Sequence, residues 1–312
     1  MLFASQELTN KLSSLDRRTF LKLAGATGSM AFLTACGPAD EGTASSTDSN
    51  ADDSSTEGED AAATTFAADG IMRVGMEAAY APFNWQVSEE TENTIPIENV
   101  SGAYADGYDV QFAKIIAEAL DLTPVAIKMS FDGLVDACKG GQIDIICAGM
   151  TATEERAKSI DFSDPYLEDT VAVITKKDSA YASAKTLDDL AGVTIMGQKS
   201  TFYDEAIDQI PDVVHKEPLE YVPDVVAALN NDQVEAITYS QMSAAKLLDS
   251  YPDFVLCELE SGFTGDYASN NDNAGIAKGN DEILAKINEA IADVSEDERA
   301  EIWTACNERQ PV

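Results

Sequence analysis

The stretch LVDACKGGQIDIICA, Leu134 to Ala148, reads as an amphipathic helix, a tight glycine turn and a buried apolar strand. Further along, VVAALNNDQVEAITY, Val225 to Tyr239, aligns with it without a gap: helix, turn, glutamine, strand. An echo of this kind suits two lobes, each built on its own small sheet. It also sets Ala148 and Tyr239 at equivalent carboxyl ends of buried strands, where open α/β sheets bind ligands. Two such ends facing each other would line a cleft.

Outward from the first copy the same grammar continues. IMRVGM (71–76) and TPVAIK (123–128) read as strands and YDVQFAKIIAEAL (108–120) as a helix, so the alternation predicts a parallel α/β architecture. Between the first strand and the first helix, Gln86 to Gly107 is rich in Glu, Asn, Ser and Gly and reads as one long loop.

The N-terminus belongs to targeting rather than to the fold. Asp16 to Lys22 carries Arg17-Arg18 ahead of the apolar run Leu23 to Ala35, the pattern of a twin-arginine signal peptide over residues 1–35. That run is too short to span a bilayer, and it ends in Leu33-Thr34-Ala35-Cys36, which resembles the bacterial lipobox. A lipid on Cys36 would anchor an otherwise soluble, exported protein to the outer face of the cytoplasmic membrane. From Gly37 to Asp69 there are nine acidic residues and no Lys or Arg, so residues 36–69 read as a lipidated cysteine and a self-repelling acidic tether.

Charge narrows the partners. The chain of 312 residues holds 56 Asp and Glu against 20 Lys and Arg, a formal net charge of −36, which repels nucleic acid. Cys138, Cys147, Cys257 and Cys306 have no metal-ligand spacing, and their pairing is open among three combinations. With His215 as the single histidine, neither a metal nor a cofactor is expected.

Candidate binding residues gather at strand ends. Thr151 to Glu154 has capping-box spacing and predicts a helix starting there, whose N-terminus would favour an anion. Arg156 would add a planar fork for a carboxylate; the competing reading is a surface ion pair with Asp161 or Asp164, worth under about 1 kcal/mol. After the first strand, Glu77, Tyr80, Phe83 and Trp85 arrive together, suited to sandwich a small ligand and to meet a cation, with Phe83 the most apt for core packing. Phe131 follows the next strand in the same way.

RVGMEAAYAPFNW, GYDVQFAKIIAEAL, SFDGLVDACKGGQIDIICAGMTATEERAKSIDFSDPY and AKGNDEILAKINEAI resemble the amino-acid-binding family of bacterial extracellular solute-binding proteins, the receptors of ABC importers. The resemblance spans nearly all of residues 71–312. It implies the type II periplasmic-binding fold: two α/β lobes joined by a hinge of two crossover strands, lobe 1 being 70–168 plus 273–312 and lobe 2 being 169–272. It implies a monomer that captures a small carboxylate-bearing ligand, most often a polar amino acid, and docks on permease subunits. The carboxylate site would fall on Arg156 with Thr151, Ala148 and Gly149, the first-lobe wall on Glu77, Tyr80 and Phe131, and the second-lobe turn on Gln198, Thr201 and Phe202.

This sequence departs from the family at two of these points. Phe202 stands where a small or hydroxylated residue is usual, which makes the pocket narrower or more apolar. Tyr239 stands where an acidic residue usually meets the ligand ammonium, so either Glu77 takes that charge or the ligand is not a simple α-amino acid. Two other functions fit the same fold: a dehydratase-like enzyme, with Glu77 as its acid or base, and a ligand sensor for a membrane signalling protein.

Overall fold

The computed structural model describes residues 66–311; the twin-arginine segment, Cys36 and the tether up to residue 65 lie outside the described residues. Strands β1 (Ile71–Met76), β2 (Ala79–Tyr80), β3 (Asn84–Val87), β4 (Ile95–Pro96), β5 (Tyr104–Asp106), β6 (Thr123–Lys128), β7 (Ile145–Ile146) and β8 (Ile160–Leu167) come first, with helices α1 (Tyr108–Ala119) and α2 (Leu134–Lys139) among them. Next are β9 (Val171–Lys176), β10 (Thr194–Met196), β11 (Val214–His215), β12 (Ala236–Ser240) and β13 (Phe254–Leu256), with α3 (Phe202–Ala206), α4 (Val222–Asn230) and α5 (Gln241–Ser250). Strand β14 (Asp272–Ala277) and helices α6 (Asp281–Ala292) and α7 (Glu296–Arg309) complete the order.

Two five-stranded sheets share one plan, β6-β1-β7-β14-β8 and β11-β10-β12-β9-β13. In each, the first three strands are parallel and the last two break the purely parallel pattern that alternation predicts. The cause is connectivity: β8 leads out of the first sheet into β9 of the second, and β14 returns, so each sheet takes in a strand arriving from the other. The helices cover faces as their apolar spacing requires, α1 burying Val110, Phe112, Ala113, Ile116 and Ala117. At the far end α7 starts on a capping box between Ser295 and Glu298, and its Arg309 pairs with the buried Asp106 at 2.9 Å.

The echo holds in register. Val74 pairs with Ile145 in the first sheet and Ile195 with Ala236 in the second, and Ile145 and Ala236 are the aligned positions of the two copies. By the same offset Glu77 and Gln198, each just beyond its strand, are equivalents. The segment read as a loop, Gln86 to Gly107, instead contributes to a four-stranded antiparallel sheet β2-β3-β5-β4. Ile95, Ile97, Ala103 and Ala105 are buried beneath it, too few apolar residues per strand to register as periodicity among so many polar ones.

The four cysteines of the folded part are buried free thiols. Burial pushes Cys138 and Cys306 up to about 12 and Cys257 to about 11, so they stay protonated and unreactive. Among the described residues no helix is long and apolar enough to cross a membrane, and no cluster of His, Cys, Asp or Glu is placed to hold a metal.

Candidate ligand site between the two sheets

Buried polar anchors at the end of α1 build the first-lobe wall. Asp109, in the first turn, accepts from Tyr166 Oη at 2.5 Å and Asn84 Nδ2 at 2.7 Å, and the backbone N–H of Gly149 also bonds to it. Asn84 in turn accepts from the backbone N–H of Ala78 at 2.8 Å, holding Ala78 in a left-handed conformation with φ of 50°. This single anchor sets the strand-end segment that carries Glu77 and Tyr80, and also the turn at Gly149. Tyr80 lies flat on Phe83, ring centroids 4.4 Å apart, and Phe83 is fully buried.

The cleft is closed, and its two walls bond directly to each other. Glu77, Tyr80, Phe131, Ala148, Gly149, Thr151, Arg156, Gln198, Thr201 and Phe202 all line one cavity, together with Tyr203 and Asn270, which the sequence did not single out. Only about 10 Å³ remains for the centre of a water-sized sphere, room for roughly one water molecule. Tyr203 and Asn270 form part of a hydrogen-bonded chain: Thr151 Oγ1 donates to Asn270 Oδ1 at 2.7 Å, Asn270 Nδ2 to Tyr203 Oη at 2.7 Å, and the Tyr203 and Tyr80 hydroxyls meet at 3.2 Å. Tyr203 enters from α3, only five residues long, and Asn270 from the irregular segment before β14, so periodicity offers no signal for either.

Arg156 occupies the centre of this wall. Its guanidinium donates to the Thr151 carbonyl at 2.7 Å and, from the other arm, to the Ser200 carbonyl at 2.9 Å, with its carbon 5.3 Å from the Phe131 ring centroid. Burial draws its pKa below the usual value, against the pull of Glu205 and Glu155. The surface pair with Asp161 is not made; Asp161 bonds Lys278. A planar cation already stacked and partly desolvated is a ready receptor for a carboxylate.

Glu77 lines the same cavity as an almost fully buried acid, 2% exposed, accepting from Gln198 Nε2 at 2.9 and 3.0 Å. Desolvation pushes its pKa up to about 7, with the carboxylates of Glu220, Asp132 and Asp109 adding to the rise and the Gln198 amide opposing it.

Three expectations need correction. No α-helix starts at Thr151: the chain turns two residues later, where Thr153 Oγ1 accepts from Arg156 N at 3.2 Å and the Thr153 carbonyl from Ala157 N at 2.9 Å, and a single 3-10 turn, Arg156–Lys158, leads straight into β8. A turn so short brings no helix dipole to the anion. Trp85 does not reach the cavity; on β3 it pairs with Ala79 and Asp106 and is buried within the small sheet. Tyr239 does not line the cavity either. Its ring stands edge-on behind Tyr80 at 6.5 Å, and burial pushes its phenol up to about 12, so it backs the wall as a neutral group.

The acid at this end of β12 comes from another element. The next residue, Ser240, donates its hydroxyl to Asp169, on the crossover between β8 and β9, and Asp169 also accepts from the Met242 N–H at 3.0 Å. Burial raises Asp169 to about 6 despite these donors. Its carbonyl accepts from the Asn270 N–H at 2.8 Å, which ties the two crossovers together.

The sequence pattern of bacterial extracellular solute-binding proteins, family 3, matches residues 72–304. The chain belongs to this family. Among its relatives are the L-cystine-binding protein TcyJ of Escherichia coli (strain K12), 26% identical over 73% of this chain and 79% of that protein. The arginine-binding extracellular protein ArtP of Bacillus subtilis (strain 168) is 28% identical over 72% of this chain and 80% of its own. A crystal structure of the substrate-binding protein of an amino acid ABC transporter superposes with a TM-score of 0.65 at 29% identity, covering 77% of this chain and all of that one. This family 3 protein therefore has the type II fold, with the two sheets as the cores of its lobes and β8–β9 and the return into β14 as the crossovers.

Proposed function

We propose that this family 3 protein is the capture subunit of an amino-acid ABC importer, with Arg156 holding the ligand carboxylate as the lobes close. The observation that carries the reading is the Arg156 guanidinium, stacked on Phe131 in the cleft and bonded to carbonyls of both walls. Relatives named for cystine and arginine support the amino-acid class. Binding drives hinge closure rather than bond-making, and the closed complex is what a permease would recognise.

Several finer features belong to the same reading. Lobe 1 comprises residues 70–168 plus 273–312 and lobe 2 residues 169–272. The protein works as a monomer, exported by the twin-arginine route and anchored through Cys36 on the outer face of the cytoplasmic membrane. Glu77, Tyr80, Phe131, Ala148, Gly149, Thr151, Gln198, Thr201 and Phe202 form the remaining walls of the pocket, joined by Tyr203 and Asn270.

A thermal-shift screen of the purified protein across the amino acids and small carboxylates tests the reading. At least one amino acid is expected to raise the melting temperature by several degrees, since a ligand present at about 100 times its Kd adds about 2.7 kcal/mol to folding. A screen in which no amino acid gives a shift sinks it.

A further inference from the structure

Helix α3 is too short to hold itself. It has five residues, and no side chain caps its start, the Thr201 hydroxyl donating to the Gln198 carbonyl at 2.6 Å instead. Isolated helices of this length are unstable, so α3 depends on what grips it from outside. Two of its residues, Phe202 and Tyr203, line the cavity, and Tyr203 meets Tyr80 across the cleft.

The grip comes from the only histidine in the chain. His215 on β11 sets Nε2 2.8 Å from Asp204 Oδ1 on α3 and Nδ1 2.9 Å from Asp208 Oδ1 in the turn that follows. A neutral imidazole has one N–H and one lone pair, so it donates to one of these carboxylates and turns a lone pair on the other. The doubly protonated ring donates to both. The Asp208 side chain is 77% exposed and that of Asp204 17%, so the bond to Asp204 carries most of the hold. Around the ring, Lys216 follows along the chain, and β10, which pairs with β11 through Thr194 and Ile195, brings no charge. Glu235, beside that pairing, accepts from the Thr194 N–H at 2.9 Å. Burial works against charging the ring, yet the two carboxylates outweigh it and raise its pKa above the ordinary 6.5. The hold is therefore complete below about pH 6.5 and is lost as the pH rises through the raised value.

We propose that His215 is a proton-operated latch on the second-lobe wall of the cleft: the charged ring pins α3, with Phe202 and Tyr203, against β11, and the neutral ring lets it loosen. The latch rests on the amino-acid reading of the cleft only for its consequence, a ligand held more firmly in acid than in base.

Amide hydrogen exchange of the ligand-free protein at about pH 6 and about pH 8.5, corrected for intrinsic rates, tests the proposal. In wild type, protection of residues 203–207 is expected to fall at least about fivefold at the higher pH. It should be low at both pH values in His215→Phe, which keeps a ring without a donor. Asp204→Asn, which removes the charge the ring grips, takes its place should the phenylalanine variant fail to fold. Proton NMR adds a second readout, because a single histidine yields a single titrating ring signal. Its midpoint should lie above about 6.5 in wild type and move down in Asp204→Asn. Wild-type protection that is unchanged between the two pH values, or that changes equally in His215→Phe, overturns the proposal, and so does a wild-type midpoint at or below about 6.5. No ligand enters either measurement, so these outcomes leave the amino-acid reading standing, and failure of every amino acid to bind sinks that reading while the latch is still decided by exchange.

Discussion

Glu77 is the carboxyl group among the residues lining the cleft, and it sits far from its exposed state. Desolvation raises its pKa to about 7 from the ordinary 4.5, so the folded protein holds a proton there that the unfolded chain has already released. The stability this contributes is fully present below about pH 4.5 and is lost as the pH rises through about 7. Replacing Glu77 by Gln removes that dependence, and chemical denaturation should show the variant gaining on wild type by on the order of 1–3 kcal/mol between pH 5 and pH 8. An unchanged difference across that range would mean that Glu77 is not held in this desolvated setting.

At the scale of elements, the second-lobe turn is set by close approach of backbone to backbone. A Cβ on Gly197 would stand 2.6 Å from Cα and 2.7 Å from N of Asp204 on α3, atoms that cannot swing aside. Gly197→Ala must therefore push α3 away from β10 and move Gln198 with it, and should lower stability by about 1–3 kcal/mol in denaturant unfolding. A variant as stable as wild type would show that α3 packs more loosely than described. Elements of this kind were only partly legible in the sequence. The helix–turn–strand echo was, because two buried strands and their helices follow strong periodicity, and its offset correctly matched Ile145 with Ala236. The helix proposed at Thr151 was not, because capping-box spacing does not reveal that Thr153 caps a single 3-10 turn that the chain leaves at once for β8. Trp85 failed for a related reason: proximity to Glu77 and Tyr80 along the chain does not say that the chain turns into a second, smaller sheet between them.

For the whole molecule, the cleft is the meeting of two similar halves with different chemistry. Arg156 and Glu77 were legible because each stands beside a strand end in a stretch that resembles the family. Tyr203 and Asn270 were not, since their place depends on how the lobes close and on the return crossover. Tyr239 was placed on the pocket from its strand end, with the ligand ammonium left to Glu77 or to another ligand class, whereas the acid near that end, Asp169, enters from a crossover and holds Ser240 and the start of α5. Closure thus joins three kinds of contact: the Tyr80–Tyr203 hydroxyls, the Glu77–Gln198 pair, and Arg156 on Ser200, with the Lys199–Asp132 ion pair at 2.8 Å at the rim. Of these, only Arg156 offers a fixed charge to an anionic ligand group, and the function proposed here stands on it. Calorimetric titration of the best amino-acid ligand into wild type and Arg156→Ala is the most direct test. Binding is expected to weaken by about 100-fold or more in the variant at an unchanged fold, the loss of a charge-assisted fork, and full affinity in Arg156→Ala would contradict the account.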